Sequence, residues 1–140
     1  MNRRQHKKQS RRLVDAALVG DIARVRAALR AGAPAETADT AGSTPLYLAS
    51  VNGDAAVVRV LLAAGARPDT ESGTGSEGTP LCGAACWGHA EAVRALLAHG
   101  ADPNLREDRG TEWTPLEWAS KGAHAETVDL LLAAGARSRD

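Results

Sequence analysis

Cys82, Cys86 and His89 lie within eight residues of one another and carry thiol and imidazole groups. Thiolate and imidazole groups bind zinc, and a thiolate beside an imidazole acts as a nucleophile. A zinc site needs four ligands of good geometry, but the helix that carries both cysteines ends before His89. Two small buried thiols are the better interpretation, so we expect no metal and no cofactor. A reactive thiol at Cys86, close to a groove, stays open as an alternative.

The remaining histidines complete no catalytic set. His6 lies in a basic tail and His99 at the end of a helix. Neither is spaced from a Ser or Cys as the general base of a nucleophile would be. The sequence contains no phosphate-binding loop. We therefore expect a protein without catalytic residues. The alternative is an unusual enzyme or small-molecule binder with a pocket near Cys82, Cys86, Trp87, Trp113, Trp118 and Glu117.

The composition predicts one small α-helical domain. A chain of 140 residues has room for one modest core, and with 3% aromatic residues and no Phe this core must be built from Ala, Leu and Val. Such side chains fill space best between closely packed helices. The sequence contains no run of about 18 apolar residues, the length needed to span a bilayer. Two cysteines agree with a reducing compartment, so we expect a cytoplasmic protein without a membrane partner.

Charges are distributed unevenly along a chain whose formal net charge is zero. The first twelve residues hold six of the 17 basic residues and no acidic one, which leaves 11 basic against 17 acidic residues in the rest. An acidic body favours a cationic partner. Six basic residues without interleaved aromatic ones are a weak nucleic-acid signal, so no nucleic acid is expected. We treat residues 1–10 as a basic tail, either a solvated helix extension or a disordered leader.

A repeated segment provides the elements that position these residues. The stretches "TPLYLASVNGDAAVVRVLLAAGARPD", "TPLCGAACWGHAEAVRALLAHGADPN" and "TPLEWASKGAHAETVDLLLAAGARSR" begin at Thr44, Thr79 and Thr114. Self-similarity at a fixed spacing predicts stacked units. Thr44 is a good N-cap, Pro45 a good first helical residue, and Gly65 stands where a left-handed residue would close a second helix. Each unit is therefore predicted to contain two short antiparallel helices.

A degenerate first unit precedes these three. Placing Gly20 on Gly53 also places Leu13 on Leu46, with charged residues in place of Thr-Pro, as suits an end unit. Helices of about nine residues are unstable alone, so each unit persists only if a neighbour covers its apolar face. We predict one domain over residues 11–140, made of units at 11–43, 44–78, 79–113 and 114–140.

These segments resemble the ankyrin repeat, whose pattern is approximately G-x-TPLHxAAxxGHxxxVxxLLxxGADxN. The resemblance covers residues 11–140 and implies an all-α solenoid of four helix-turn-helix units with β-hairpin-like finger loops. It also implies that the fingers and first helices line a concave face, which in this family typically binds another protein. His89 and His124 fall in the family's structural Gly-His position.

The chain departs from the family pattern in two ways. Tyr47, Cys82 and Glu117 replace the histidine that follows Thr-Pro-Leu, which puts its usual hydrogen-bond network in doubt. The Thr-Pro-Leu motifs are 35 residues apart, against about 33 in the family. The extra residues fall in the finger stretches "DTESGTGSEG" and "NLREDRGTEW". Longer fingers reach further across a concave surface.

Aromatic and charged residues on this face are predicted to contact the partner. By the resemblance, the fingers and the ends of the first helices are where partner contacts usually fall, so Trp87 and Trp113 are candidate anchors. Trp118 takes a position that often faces the same side. Alternatively, a tryptophan fills space in an alanine-rich core. The full predicted partner-binding set is Trp87, Trp113, Trp118, Cys86, Asn52, Val51, Tyr47, Glu77, Asp108, Arg109, Glu112, Glu117 and Lys121.

The function expected from these observations is recognition of another protein with a basic surface through the concave face. Richness in Ala, Arg and Gly indicates G+C-rich bacterial coding, and small stand-alone ankyrin-like proteins in bacteria often act as inhibitor, immunity or accessory proteins. A bare scaffold is the third possibility, because the Leu-rich last helix has little polar capping. We expect a monomer or a weak dimer.

Overall fold

Eight α-helices make up the part of the chain that the computed structural model describes, which is residues 2–73, 77–107 and 112–137. Each of four units contributes a first helix and a second helix. The helices are α1 (Arg3–Val19), α2 (Ile22–Arg30), α3 (Pro45–Val51), α4 (Ala55–Ala63), α5 (Pro80–Cys86), α6 (Ala90–Ala98), α7 (Pro115–Lys121) and α8 (Ala125–Ala133).

The first helices of the second, third and fourth units begin at Thr-Pro pairs. The hydroxyl oxygens of Thr44, Thr79 and Thr114 each accept a hydrogen bond from the backbone N–H three residues later. Proline follows at the first helical turn, where its missing N–H removes no helical hydrogen bond. The helix starts predicted from the three motifs are confirmed.

The second helices begin at two kinds of residue. In the second unit the carboxylate of Asp54 accepts a hydrogen bond from a backbone N–H of the first turn. His89 and His124 take this position in the third and fourth units, and their rings reach back to the preceding unit. Their Nε2 atoms donate to the carbonyls of Val51 and Cys86, at 2.9 and 3.0 Å. These hydrogen bonds tie consecutive units together.

The helices form two layers. α1, α3, α5 and α7 pack side by side in chain order, and α2, α4, α6 and α8 form the layer behind them. The core between the layers is built mainly from Leu, Val and Ala, as the composition predicted, and Leu61, Leu81, Leu96 and Leu131 are among its largest fully buried side chains. The arrangement confirms the predicted all-α solenoid of stacked helix pairs.

We call the segments between α2 and α3, between α4 and α5, and between α6 and α7 the first, second and third fingers. The described residues of the second finger pair as in a hairpin. Ser72 and Gly78 face each other in an isolated antiparallel bridge, and the Ser72 N–H donates to the Gly78 carbonyl at 2.8 Å. In the following finger the Glu107 N–H donates to the Trp113 carbonyl at 3.3 Å. This contact returns the chain to the start of α7, so that Trp113 stands directly before that helix.

The basic N-terminal segment is part of α1, which at 17 residues is the longest helix of the described chain. Asn2 and Gln5 form a capping box at its start, and the basic side chains up to Arg12 are exposed. Within the described residues, no helix combines the length and the apolar character needed to cross a membrane.

Candidate functional site

Side chains of α3, α5 and α7 form one continuous surface, which we call the first-helix face. Val51, Cys86 and Lys121 occupy equivalent positions in these helices, 35 residues apart. Gly83 lets α3 and α5 approach closely, because a Cβ added there would lie 2.9 Å from Val51 Cγ2 and 3.1 Å from Tyr47 Cε1. The residues that define the face are Tyr47, Val51, Cys86, Trp113, Trp118 and Lys121.

Two tryptophans form a pair at one end of this face. The ring centroids of Trp113, from the third finger, and Trp118, from α7, are 4.8 Å apart with the planes tilted by 55°. Both side chains are half-buried. Aromatic pairs at such distances and tilts are favourable beyond the area that they bury. The pair therefore joins the finger to the helix and leaves part of each indole open to a partner.

Lys121 places its ammonium group over both indoles. Its Nζ lies 4.8 Å from the centroid of the Trp113 ring and 5.9 Å from that of Trp118. Both distances lie within the range in which the ring quadrupole attracts a cation. The end of α7 thus positions a positive charge above an aromatic surface that is anchored by the finger.

Glu107 lies at the edge of the aromatic pair. Only 8% of this residue is exposed, and its Oε1 accepts a hydrogen bond of 3.1 Å from Trp118 Nε1. The carboxylate packs against Gly78 of the preceding finger, in a space that a Cβ at that position would fill. Gly78 also has a φ of +89°, which favours glycine. The second finger therefore supports the acid that fixes the orientation of Trp118.

Burial makes the thiols and the phenol of this region poor acids. Desolvation, with a smaller contribution from Glu107, raises the pKa of Cys82 to about 12. Desolvation, followed by Glu77 and Glu107, raises the pKa of Tyr47 to about 12. The pKa of Cys86 is raised as well, mainly by burial and then by Glu107, while Lys121 opposes the shift. All three groups are therefore neutral at physiological pH, which is unfavourable for a thiolate nucleophile.

The two thiols should differ in their reaction with iodoacetamide at pH 8. Cys82 is buried and with a pKa of about 12 holds a thiolate fraction of about one in ten thousand, whereas Cys86 is partly exposed. We expect the single-thiol variant Cys82→Ala, which keeps Cys86, to react at least tenfold faster than Cys86→Ala, as measured by intact mass against time. Both rates should become similar in denaturant. Equal rates in the folded variants would contradict the burial of Cys82.

The structure distributes the other predicted site residues over several environments. Trp87 is 62% exposed at the C-terminal cap of α5. Asn52, its equivalent in the second unit, donates from Nδ2 to the Leu18 carbonyl at 2.9 Å and so also links two units. Glu112 is exposed next to Trp113 and has a φ of +57°. Asp108 and Arg109 lie outside the described residues.

The two remaining acidic residues of the predicted set belong to local hydrogen-bond networks. Glu77 accepts from the Ser43 hydroxyl at 2.7 Å and from the Ser72 hydroxyl at 3.1 Å, which connects the first two fingers. Glu117 forms a capping box with Thr114 at the start of α7. Their carboxylates add negative charge beside the first-helix face while also stabilising the fingers and α7.

Glu107 was not among the predicted contact residues, although it anchors the aromatic pair. The sequence contains a signal for it, because Glu107 stands 35 residues after Ser72, whose hydroxyl receives the Thr44 N–H at 3.0 Å. An acid in place of a buried serine, at a position that makes inter-finger contacts, could have been flagged. Gly83 and Gly78 were also missed, since each allows an approach that only the folded chain shows.

His89 is directed to the backbone of the second unit rather than to a ligand set with the two cysteines. Its Nε2 donates a hydrogen bond to the Val51 carbonyl. In the described ranges, no three His, Cys, Asp or Glu side chains are grouped in a way that could hold a metal ion.

Two open cavities lie at the N-terminal end of the stack. One, of about 500 Å³, lies between α1 and α2 and includes Arg12, Asp15 and Arg24. The other, of about 560 Å³, lies between the start of α1 and the loop at Thr37, and includes Lys7. Neither cavity includes a residue of the first-helix face, so neither supports the alternative of an enzyme pocket at the cysteines and tryptophans.

A stack of helix pairs with fingers between them, and with unit-specific side chains along its first helices, defines a solenoid repeat protein. The chain belongs to the ankyrin repeat family, because the family profile described as "Ankyrin repeats (3 copies)" matches residues 13–107 and 70–140. No curated protein gives a significant match to the sequence. Ankyrin repeats are generally protein–protein interaction modules and typically not enzymes.

Proposed function

We propose that this ankyrin repeat protein binds a partner protein through the first-helix face, with the Trp113–Trp118 pair as its anchor. Two of the chain's three tryptophans form a half-buried pair on this face, and Trp118 packs against a core made of Leu, Val and Ala. Large aromatic side chains that are held rigidly and remain partly exposed are the residues that most often dominate binding energy.

The charges around this pair favour a partner with a basic surface. Glu77, Glu107, Glu112 and Glu117 flank the first-helix face, and the chain from residue 13 onward contains more acidic than basic residues. Complementary potentials accelerate association and select between partners. Raised salt should therefore weaken the complex by screening exposed charges.

We further propose an inhibitor, immunity or accessory role in the cytoplasm of a bacterium. The support is compositional: Ala, Arg and Gly are abundant, as in G+C-rich bacterial coding, and both cysteines are free, as expected in a reducing compartment. We expect the isolated protein to be a monomer or a weak dimer. Sedimentation measures this oligomeric state directly.

Partner capture with matched tryptophan variants tests the proposed surface. The wild type, Trp113→Ala and Trp87→Ala are used to retain proteins from host lysate, and the retained protein is purified and titrated against each variant by calorimetry. We expect Trp113→Ala to weaken binding by about 2 kcal/mol or more, roughly 30-fold, because it removes an anchor and exposes its neighbour. Trp87→Ala removes a tryptophan that is not part of the pair, and it should weaken binding less than Trp113→Ala.

Circular dichroism is the control for folding, since Trp113 is only half-buried and its loss should leave the helical signal unchanged. If Trp87→Ala abolishes binding while Trp113→Ala does not, the recognition surface lies at the end of α5 and the proposal is wrong. Binding that both variants retain would equally exclude the first-helix face.

A further inference from the structure

The position of Lys121 indicates what the aromatic pair is built to hold. Its ammonium group is exposed and lies over both indoles, at 4.8 and 5.9 Å from the ring centroids. Within the described ranges Lys121 forms no salt bridge, although acidic side chains surround the face. A cation of the protein itself therefore occupies the aromatic surface, held by the rings rather than by a carboxylate.

A guanidinium group would fit this position better than the ammonium of Lys121. An ammonium is compact and strongly hydrated, whereas a guanidinium is planar, more weakly hydrated and able to stack on an indole. Arginine is also the more frequent partner of tryptophan in cation–π contacts. An arginine supplied by another molecule can therefore compete with Lys121 for the same rings.

A buried carboxylate at the edge of the pair favours a cation on the indoles. Glu107 accepts a hydrogen bond from Trp118 Nε1, which orients the ring and holds the negative charge beside it. The pKa of Cys86 responds to Glu107 and to Lys121 in opposite directions, so both charges act on the same part of the face. A cation above the indoles thus has a fixed negative charge nearby.

We propose that Lys121 is a replaceable occupant of a binding site for an arginine side chain of the basic partner, and that partner binding displaces it from Trp113 and Trp118. The inference rests on the proposed function, since it names the partner group that this face accepts. Lys121 sits at the last turn of α7, and its flexible stem lets the ammonium move into solvent while the helix stays in place.

The experiment uses a peptide of acetyl-(Gly-Arg)3-amide as the probe and its citrulline counterpart as the uncharged control. The 15N-labelled full chain has three indole N–H signals, which report on Trp87, Trp113 and Trp118 separately. We expect the arginine peptide to shift the signals of Trp113 and Trp118 but not that of Trp87. The citrulline peptide has nearly the same shape without the charge and should shift none of them.

Variants of Lys121 then separate displacement from general electrostatics. Lys121→Met replaces the competing cation by a neutral thioether and should tighten arginine-peptide binding about two- to fivefold, the change that corresponds to an exposed cation–π contact. Lys8→Met removes the same charge from the exposed part of α1 and should leave the affinity unchanged within error. Lys121→Arg keeps the charge but stacks more firmly, so it should weaken peptide binding.

Equal affinities of Lys121→Met and Lys8→Met, or equal shifts by the two peptides, would overturn the inference. Its failure is distinguishable from failure of the proposed function. A captured partner that needs Trp113 but binds Lys121→Met and the wild type alike leaves the recognition face standing and removes the arginine site. If the peptide displaces Lys121 but no captured partner needs Trp113, the arginine site stands and the proposed function fails.

Discussion

We expect Leu96→Ala to lower the free energy of unfolding by about 2 to 5 kcal/mol. Leu96 lies on α6, the second helix of the third unit, and its side chain is fully buried, with 0% exposed. α6 packs between α4 and α8, so a cavity at this position weakens the contacts of the middle of the stack with both neighbours. The small surrounding side chains have little capacity to fill the space, which places the cost in the range of a buried-leucine cavity.

Leu132→Ala is the matched control, because it deletes the same atoms from a leucine that is 50% exposed on α8. Its cost should be about 0.5 to 1 kcal/mol, as for partly exposed apolar residues. Urea titrations followed by circular dichroism measure both values, and an unchanged slope shows that the same surface is exposed on unfolding. Equal losses in the two variants would mean that Leu96 is not a central part of the core.

The leucine pairs show how far the sequence pattern reaches. Each unit was predicted to have an apolar face that a neighbour covers, and the structure shows this for the second helices, but the paired leucines are not equivalent. Leu96 is fully buried while Leu97 is only partly buried, and in the last unit Leu132 is half exposed. Both members of a pair satisfy the helical spacing, and only the packing in the folded stack separates them.

Local signals made the helix starts predictable, because a cap hydrogen bond and a proline act within four residues. The aromatic pair is a different case. Trp113 and Trp118 are five residues apart, but their contact depends on how the third finger returns to α7 and on the hydrogen bond from Trp118 to Glu107. Finger conformation follows from contacts between units, which periodicity does not predict. The sequence therefore indicated the tryptophans as contact residues but did not indicate that two of them pair.

Asn52 shows what the sequence pattern does not reveal at a surface position. It is the equivalent of Trp87 and is exposed at the end of a first helix. The sequence alone did not indicate that its amide donates to the Leu18 carbonyl. A short polar side chain at a unit boundary can satisfy the neighbouring helix end, and the spacing of the units decides whether it does.

Gly88→Ala should lower the free energy of unfolding by about 2 to 3 kcal/mol. Gly88 has a φ of +71°, where a residue with a Cβ costs about 1 to 2 kcal/mol. The added methyl group would also fall on the imidazole of His124, which donates to the Cys86 carbonyl at 3.0 Å. Moving the ring breaks a hydrogen bond between the third and fourth units, worth about 1 kcal/mol more.

Ala123→Gly provides the matched reverse change. Ala123 is the equivalent residue of the fourth unit, has a φ of +57°, and within residues 112–137 no histidine of a further unit faces it. Glycine there relieves the left-handed strain but gains entropy in the unfolded chain, so we expect a stabilisation of about 0 to 1 kcal/mol. Because backbone strain contributes at both positions, the excess cost of Gly88→Ala over this gain measures the displacement of His124. If the two changes are equal and opposite in urea titrations, the histidine moves without cost and does not hold the units together.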